Sequence, residues 1–409
     1  MNNKVPSHRS FALWNSLGVA VEYYDYVVFF LLIPHISAAF FPSAEQGFGT
    51  MGVLVIAAAG PWSRLLFSFI FSYLARCYDL RLVLIIGMFG MAFSTFCIGL
   101  IPNFSSIGVT SIIFLVVFRV TQSIVFSMEM PNSLSLGSVY LSKFFGIFTS
   151  ITISNAAFGG VFAHFVVWLL EIYFSKQQIS EWAWRIPFFL GGLLGLIGFF
   201  MRRRFVFASS NSIQNDQIQI KWNLSEMFKI NVWKLVSVLL LWIIPLSMIF
   251  HYMTFPYLFA KTYGFTSQSI YPATIFGLVV AGLASIAFGK FTHAFGLIGK
   301  VHYHLIFYTL LMIIAYGFLG KSIISVYIFC GSYQMVSTSL MNIASKLSLQ
   351  VLKAENRVFS IAYNSANALA SLTAVLVAPG IKNLYPVLFL TLLLAVYMIG
   401  VGRESRNPK

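Results

Sequence analysis

The sequence predicts an all-α integral membrane protein of twelve transmembrane helices in two six-helix halves, and three observations predict it. The first is composition: 59% of the 409 residues are hydrophobic and 9% are charged, against a charged fraction of ~25% in ordinary soluble domains. The second is that apolar runs of spanning length recur along the whole chain, without the ten-residue alternation of an outer-membrane barrel. The third is the placement of the basic residues, which fall between the apolar runs and mainly on one side of them.

Apolar runs bounded by charged or Pro/Gly/Asn-rich breaks mark the spans in order. The first, 12–41, follows the polar segment Met1–Ser10 and stops before Pro42; the second, 48–74, leads to Arg76. The third covers 82–102, from Arg81 to Pro102, and the fourth 106–131. The fifth, 144–172, starts after Lys143, and the sixth, 185–201, runs into Arg202-Arg203-Arg204. The second half contributes 233–259, 270–292, 301–319, 322–345, 358–380 and 384–402, with breaks at Lys261, His293, Lys321, Lys353 and Lys382. The one long polar connection follows the sixth span, so residues 1–201 and 233–409 are expected as two halves joined by a cytoplasmic linker, 202–232. Equal offsets of Ser72, Arg76 and Asp79 after the second span, and of Gly289, His293 and Gly296 after the eighth, form a weak internal repeat of the kind seen in transporters built from repeats.

Of the 26 Lys and Arg residues, nineteen lie on the side of the N-terminus. Five (Lys176, Arg185, Lys261, Lys321 and Lys382) lie on the other, and two (Arg64 and Arg119) lie inside spans. The excess of basic residues in cytoplasmic loops puts both termini in the cytoplasm, in an inner membrane. The net charge of +15 is therefore topological, and no basic, aromatic-interleaved domain suggests nucleic acid. Cys77, Cys97 and Cys330 lie in or beside spans and read as small buried hydrophobes. No metal-ligand spacing, cofactor motif or nucleophile–base pair appears, so neither a metal site nor an enzyme is expected. The first span is too long and too acidic for a cleaved signal peptide.

Inside the first span, Glu22-Tyr23-Tyr24-Asp25-Tyr26 places two carboxylates ~15 Å and ~20 Å along the helix at 1.5 Å per residue, near the bilayer midplane. Their spacing of three puts both on one helical face. A charge at that depth costs at least about 2.5–3.5 kcal/mol, so such acids mark ion or substrate paths; the alternative is a structural ion pair or a protonated, hydrogen-bonded acid. The fourth span carries Arg119, Gln122 and Glu129, with Arg119 ~20 Å deep and level with Asp25, so that a cross-helix ion pair is expected. Arg64 is expected to snorkel or to bridge to Glu129, in a gating or packing role. In the second half the intramembrane polar set is His251, Gln334, Asn342, Asn364 and Asn367, for which interhelical packing bonds compete with substrate contact. Pro34, Pro61, Pro245 and Pro256 can kink spans and free backbone carbonyls. Tyr23, Tyr24 and Tyr26 can pack against a ligand cation, although at 17% aromatic content an individual tyrosine carries little weight.

These residues resemble the metabolite:proton symporters of the major facilitator superfamily. The run Glu22 to Tyr26 is similar to the family's Glu-aromatic-aromatic-Asp-aromatic segment, Ser94 to Pro102 to the end of its third helix, and Trp182 to Phe189 to the start of its sixth. Arg119-Val120-Thr121-Gln122 is similar to its Arg-x-x-Gln motif, Glu129 stands at the acid of its Gly-Gly-Glu, and Arg357 and Asn364 match an Arg and an Asn at the eleventh helix. The family's charged latch between the second and third helices departs most: an acid is replaced by Arg76, and a glycine by Asp79. Ser123 stands where the family has glycine after Gln122, and Leu65 where it has proline after Arg64.

The resemblance implies a monomeric, proton-coupled symporter taking up a small polar metabolite, such as a betaine, proline or an organic acid, by alternating access. It implies proton coupling through Asp25, Glu22 and Arg119, and substrate contacts from Arg119, Gln122, Tyr23, Tyr26, Asn364 and His251. Gating falls to Arg64, Arg76, Asp79, Glu129 and Arg357. The rival readings are a proton-antiport exporter with the same parts and a non-transporting membrane sensor.

Overall fold

The structure, a computed structural model, describes residues 8–42, 46–77, 80–141, 144–209, 232–295, 322–352 and 356–377, with isolated positions between 310 and 318. The predicted spans 301–319 and 384–402, the cytoplasmic linker from 210 onward, and Asp79 therefore lie outside the described residues, as do the side chains of Arg76, Glu129 and Arg357.

The described residues are helical almost throughout. The first half comprises α1 (His8–Leu31), α2 (Ile33–Phe40), α3 (Gln46–Cys77), α4 (Leu80–Leu100), α5 (Phe104–Ile107), α6 (Val109–Tyr140), α7 (Phe145–Tyr173), α8 (Lys176–Glu181) and α9 (Ile186–Ser209). The second half contributes α10 (Val232–Tyr263), α11 (Ser267–Phe295), α12 (Ile323–Leu352) and α13 (Asn356–Val377). By length and hydropathy seven of these helices qualify as membrane spans, or eight when α1 and α2 are taken as one broken span. That break falls inside the expected span 12–41, beside Pro34, one of the prolines expected to kink spans: the two segments meet at 58°. Pro34 sits in the first turn of α2. Lacking an N–H, it cannot bond the carbonyl four residues back, and its ring crowds that carbonyl.

In the first half α1 packs on α7 and α9, α4 on α6 and α9, and α3 on α6. In the second, α10 packs on α13 and α12, and α11 on α12. Two long seams join the halves, α7 against α11 and α3 against α13. Small residues let the helices approach, because packing and not water drives helix association in lipid. A Cβ at Gly159 of α7 would overlap the backbone carbonyl of Ala20 on α1, and beside it Asn155 Nδ2 donates to Ser16 Oγ at 2.7 Å. Along α9, a Cβ at Gly192 or Gly195 would come within 2.8 Å of the Cβ of Phe96 or Ala92 on α4.

The run Trp182 to Phe189 has a structural explanation at the end of the first half remote from the N-terminus. Arg185 donates to the carbonyls of Glu181 and Ile101 and to Asn103 Oδ1, and its guanidinium lies 4.6 Å from the Trp184 ring centre. It thereby satisfies backbone acceptors where α4 and α8 end. The surface is the reverse of a soluble protein's: Leu66, Ile86 and Ile324 are more than 60% exposed, while Arg64, Arg119 and Asp25 are at most 1% exposed.

Candidate functional site

Three helices of the first half converge on a buried polar cluster. From α6, Arg119 Nη1 donates to Gln122 Oε1 at 2.6 Å. Gln122 Nε2 donates to Thr95 Oγ1 on α4 at 2.8 Å, and Thr95 Oγ1 donates to Asp25 Oδ2 on α1 at 3.0 Å. Arg119 and Gln122 meet because residues three apart share a helical face. The chain of donors runs in one direction, from guanidinium to carboxylate. Asp25 and Arg119 are thus linked through two neutral side chains, and the direct ion pair expected from their depths is not formed. The reason is lateral: equal depth on two helices says nothing of their distance across the bundle, and α4 supplies Thr95 between them.

The second carboxylate oxygen, Asp25 Oδ1, is buried without a hydrogen-bond partner. It faces Gly191 of α9, where a Cβ would overlap it. Glu22 is also buried on α1, at 4% exposure, and has interactions of its own. His35 Nε2 lies 3.7 Å from Glu171 Oε1 and ties α2 to α7.

The aromatic residues of α1 serve the protein's own cations. Arg119 lies 4.1 Å from the Phe29 ring centre and 5.0 Å from that of Tyr26; Arg64 lies 4.1 Å from Phe126 and 4.5 Å from Tyr26. Tyr26 also stacks on Phe126 and meets Phe250 of the second half edge-on. A desolvated guanidinium on an aromatic face gains on the order of 2 kcal/mol, comparable to the insertion cost of such a residue. Tyr26, expected to meet a ligand cation, is therefore already flanked by two cations. Tyr23 packs on Phe126 and is hydrogen-bonded to Tyr363 of α13. Arg64 does not snorkel: it is 1% exposed.

The second-half residues divide between seam and interior. Asn364 Nδ2 donates to the Ser127 carbonyl of α6 at 3.2 Å, across the seam, as well as to Ser360 O. Asn342 Oδ1 accepts from Ser150 Oγ of α7 at 2.6 Å, its Nδ2 donates to Ser285 Oγ of α11 at 3.0 Å, and Ser285 Oγ donates to Ser150 O. These amides hold the halves together near their N-terminal side. His251 is half-buried on α10 between Pro245 and Pro256. Thr95 and Gly191, which shape the cluster, are not singled out by the sequence, since a threonine or glycine in an apolar helix is commonplace; Ser123 stands out only as a departure from the glycine of the resembled family.

No protein-family model matches the chain. Among curated proteins, the proline/betaine transporter of Salmonella typhimurium is 29% identical over 192 residues, 46% of this chain and 38% of that protein. The glycine betaine/proline/ectoine/pipecolic acid transporter OusA of Dickeya dadantii is 30% identical over the same length. The chain therefore aligns with well under half the length of the curated relatives it matches. Among solved structures, the proton:xylose symporter XylE of the major facilitator superfamily superposes with a TM-score of 0.72 at 14% identity, covering 95% of this chain and 94% of that one. A bacterial homologue of the iron transporter ferroportin gives 0.66 at 18% identity, covering 97% and 99%. The chain has the major facilitator fold, and it resembles proline/betaine transporters in sequence.

Proposed function

We propose that this protein is a proton-coupled secondary transporter that takes up a small polar metabolite by alternating access. The observation that carries the reading is the buried relay Arg119–Gln122–Thr95–Asp25, which connects an anion-binding group to a protonatable one. A substrate carboxylate that engages the free edge of Arg119 neutralises the guanidinium, weakens its charge-assisted bond to Gln122, and so alters what Thr95 donates to Asp25. Substrate and proton then load together, because the buried carboxylate at the far end of the relay binds a proton more readily when its hydrogen-bond donor is drawn away. The two seams support the second half of the cycle: a rocking motion needs interfaces held by a few neutral bonds, such as those of Asn342 and Asn364, each worth about 0.6 kcal/mol on average in a membrane. Glu22 and His251 serve as additional proton and substrate contacts in this reading, with both termini cytoplasmic in an inner membrane.

Transport in proteoliposomes under an imposed pH gradient tests it. Asp25→Asn keeps an isosteric hydrogen-bonding group and should retain exchange across the membrane while abolishing accumulation against a gradient. Arg119→Gln should abolish both. Accumulation that survives in the asparagine variant removes Asp25 as the coupling residue and leaves Glu22 in that role.

A further inference from the structure

Beyond the relay, the cluster contains buried donors that the relay does not use. Nε and Nη2 of Arg119, the same two nitrogens of Arg64, and Ser123 Oγ are all buried and have no hydrogen-bond partner. On each arginine these two nitrogens form the side-on edge of the guanidinium, the edge that matches a carboxylate with two parallel bonds. The remaining nitrogen of Arg119 is the one given to Gln122.

The donors are gathered by helix periodicity. Gly60 and Arg64 on α3, and Arg119 and Ser123 on α6, are both four apart and so share a face of their helix. The two faces meet: a Cβ at Gly60 would overlap Ser123 Oγ and stand 4.0 Å from Arg119 Nε. Both guanidinium groups lie against one ring, 4.5 Å and 5.0 Å from the Tyr26 centre, which limits their separation to the sum of those distances. Leaving a buried donor unsatisfied is unfavourable, and more so for a charged group, so five such atoms describe a site for an acceptor-rich ligand. Asp25 is not that acceptor, since its Oδ1 faces Gly191 of α9 and its Oδ2 is held by Thr95.

From this arrangement we infer that the site takes an organic dianion, with one carboxylate on the side-on edge of Arg119 and Ser123 and the second on the side-on edge of Arg64. The inference rests on the transport reading for what binding is for, and it moves Arg64 from the gate to the substrate. It also separates this chain from a carrier of quaternary ammonium zwitterions. Such a headgroup requires an open aromatic face, and Tyr26, Phe29 and Phe126 each already carry a guanidinium. Ser123 is specific to this chain within the resemblance, and here it adds a hydroxyl to the donor set.

The test is calorimetric titration of the full chain in nanodiscs with succinate, acetate, inorganic phosphate, proline and glycine betaine. Succinate should bind at least about tenfold more tightly than each of the others, as one added charge-assisted contact requires. Arg64→Gln should weaken succinate about ten- to a hundredfold and leave acetate within about threefold, because acetate uses only the Arg119 edge. Ser123→Ala, a milder change that keeps the Cβ, should weaken succinate and acetate alike by about three- to tenfold. Tighter binding of betaine or proline, tighter binding of phosphate, no binding of any probe, or equal loss of succinate and acetate in Arg64→Gln each overturns the inference. Proteoliposome uptake separates it from the transport reading. Succinate that binds through Arg64 but never crosses the bilayer refutes transport and keeps the site; betaine that crosses while succinate neither binds nor crosses refutes the site and keeps transport.

Discussion

Replacing Gly191 by alanine adds one methyl group to α9 at the point where it touches the Asp25 carboxylate. The new Cβ would overlap Asp25 Oδ1 and lie 3.1 Å from Thr95 Cγ2 and 3.2 Å from Asp25 Cγ. Because the intruding atom is fixed to the helix backbone, the carboxylate must rotate away from Thr95 or the helices must part. Overpacking of this kind costs about 1–3 kcal/mol. Losing the 3.0 Å Thr95–Asp25 bond adds from about 0.6 kcal/mol, the average for interhelical bonds in membranes, to about 3 kcal/mol for a charged acceptor. Against these stands the gain of about 0.5–1 kcal/mol when glycine in a helix becomes alanine. The net expectation is a destabilisation of about 1–5 kcal/mol, read by denaturant titration in mixed micelles. The decisive comparison is the same substitution in an Asp25→Ala background. There the overlapped atom is gone, only the Thr95 methyl has to give way, and the helix gain remains, so the destabilisation should vanish or change sign. Equal destabilisation in both backgrounds would refute the placement of Asp25 against α9.

Three further outcomes follow from other parts of the fold. Asn342→Leu removes both interhelical bonds of its amide, to Ser150 and Ser285, and should loosen the seam by about 1–3 kcal/mol; spin labels on α7 and α12 should report a broader and longer distance distribution, and an unchanged one would count against a role in holding the halves. Pro34→Ala restores an N–H and should reduce the 58° bend between α1 and α2; labels at Leu17 and Ala38, both exposed, should move apart, and a constant distance would assign the bend to packing alone. In a background without native cysteines, a single cysteine at Gln178 should react with an impermeant reagent in intact cells, and one at Asn215 should not; labelling at Asn215 would reverse the proposed orientation.

The membrane character and the helical spans were legible in the sequence because each depends on a free energy set locally. An apolar run of spanning length partitions into lipid whatever surrounds it, and a charge within that run is costly enough to require a purpose. What only the tertiary structure decided is who meets whom. Depth along a helix is additive in residue number, which is why Asp25 and Arg119 are expected at one level. Their lateral relation depends on which faces α1, α4 and α6 turn to one another, and that placed Thr95 and Gln122 between them and Gly191 behind the carboxylate. The same cause explains Arg64, Tyr26 and Ser123. Read along the chain they are a gate residue, a ligand-facing aromatic and a substituted glycine; packed together, two guanidinium groups share the Tyr26 ring, and their free nitrogens and the Ser123 hydroxyl are buried without partners. A hydrogen bond reaches about 3 Å and is directional, whereas hydrophobic partition is neither, so the sequence by itself determines the spans and the structure determines the site.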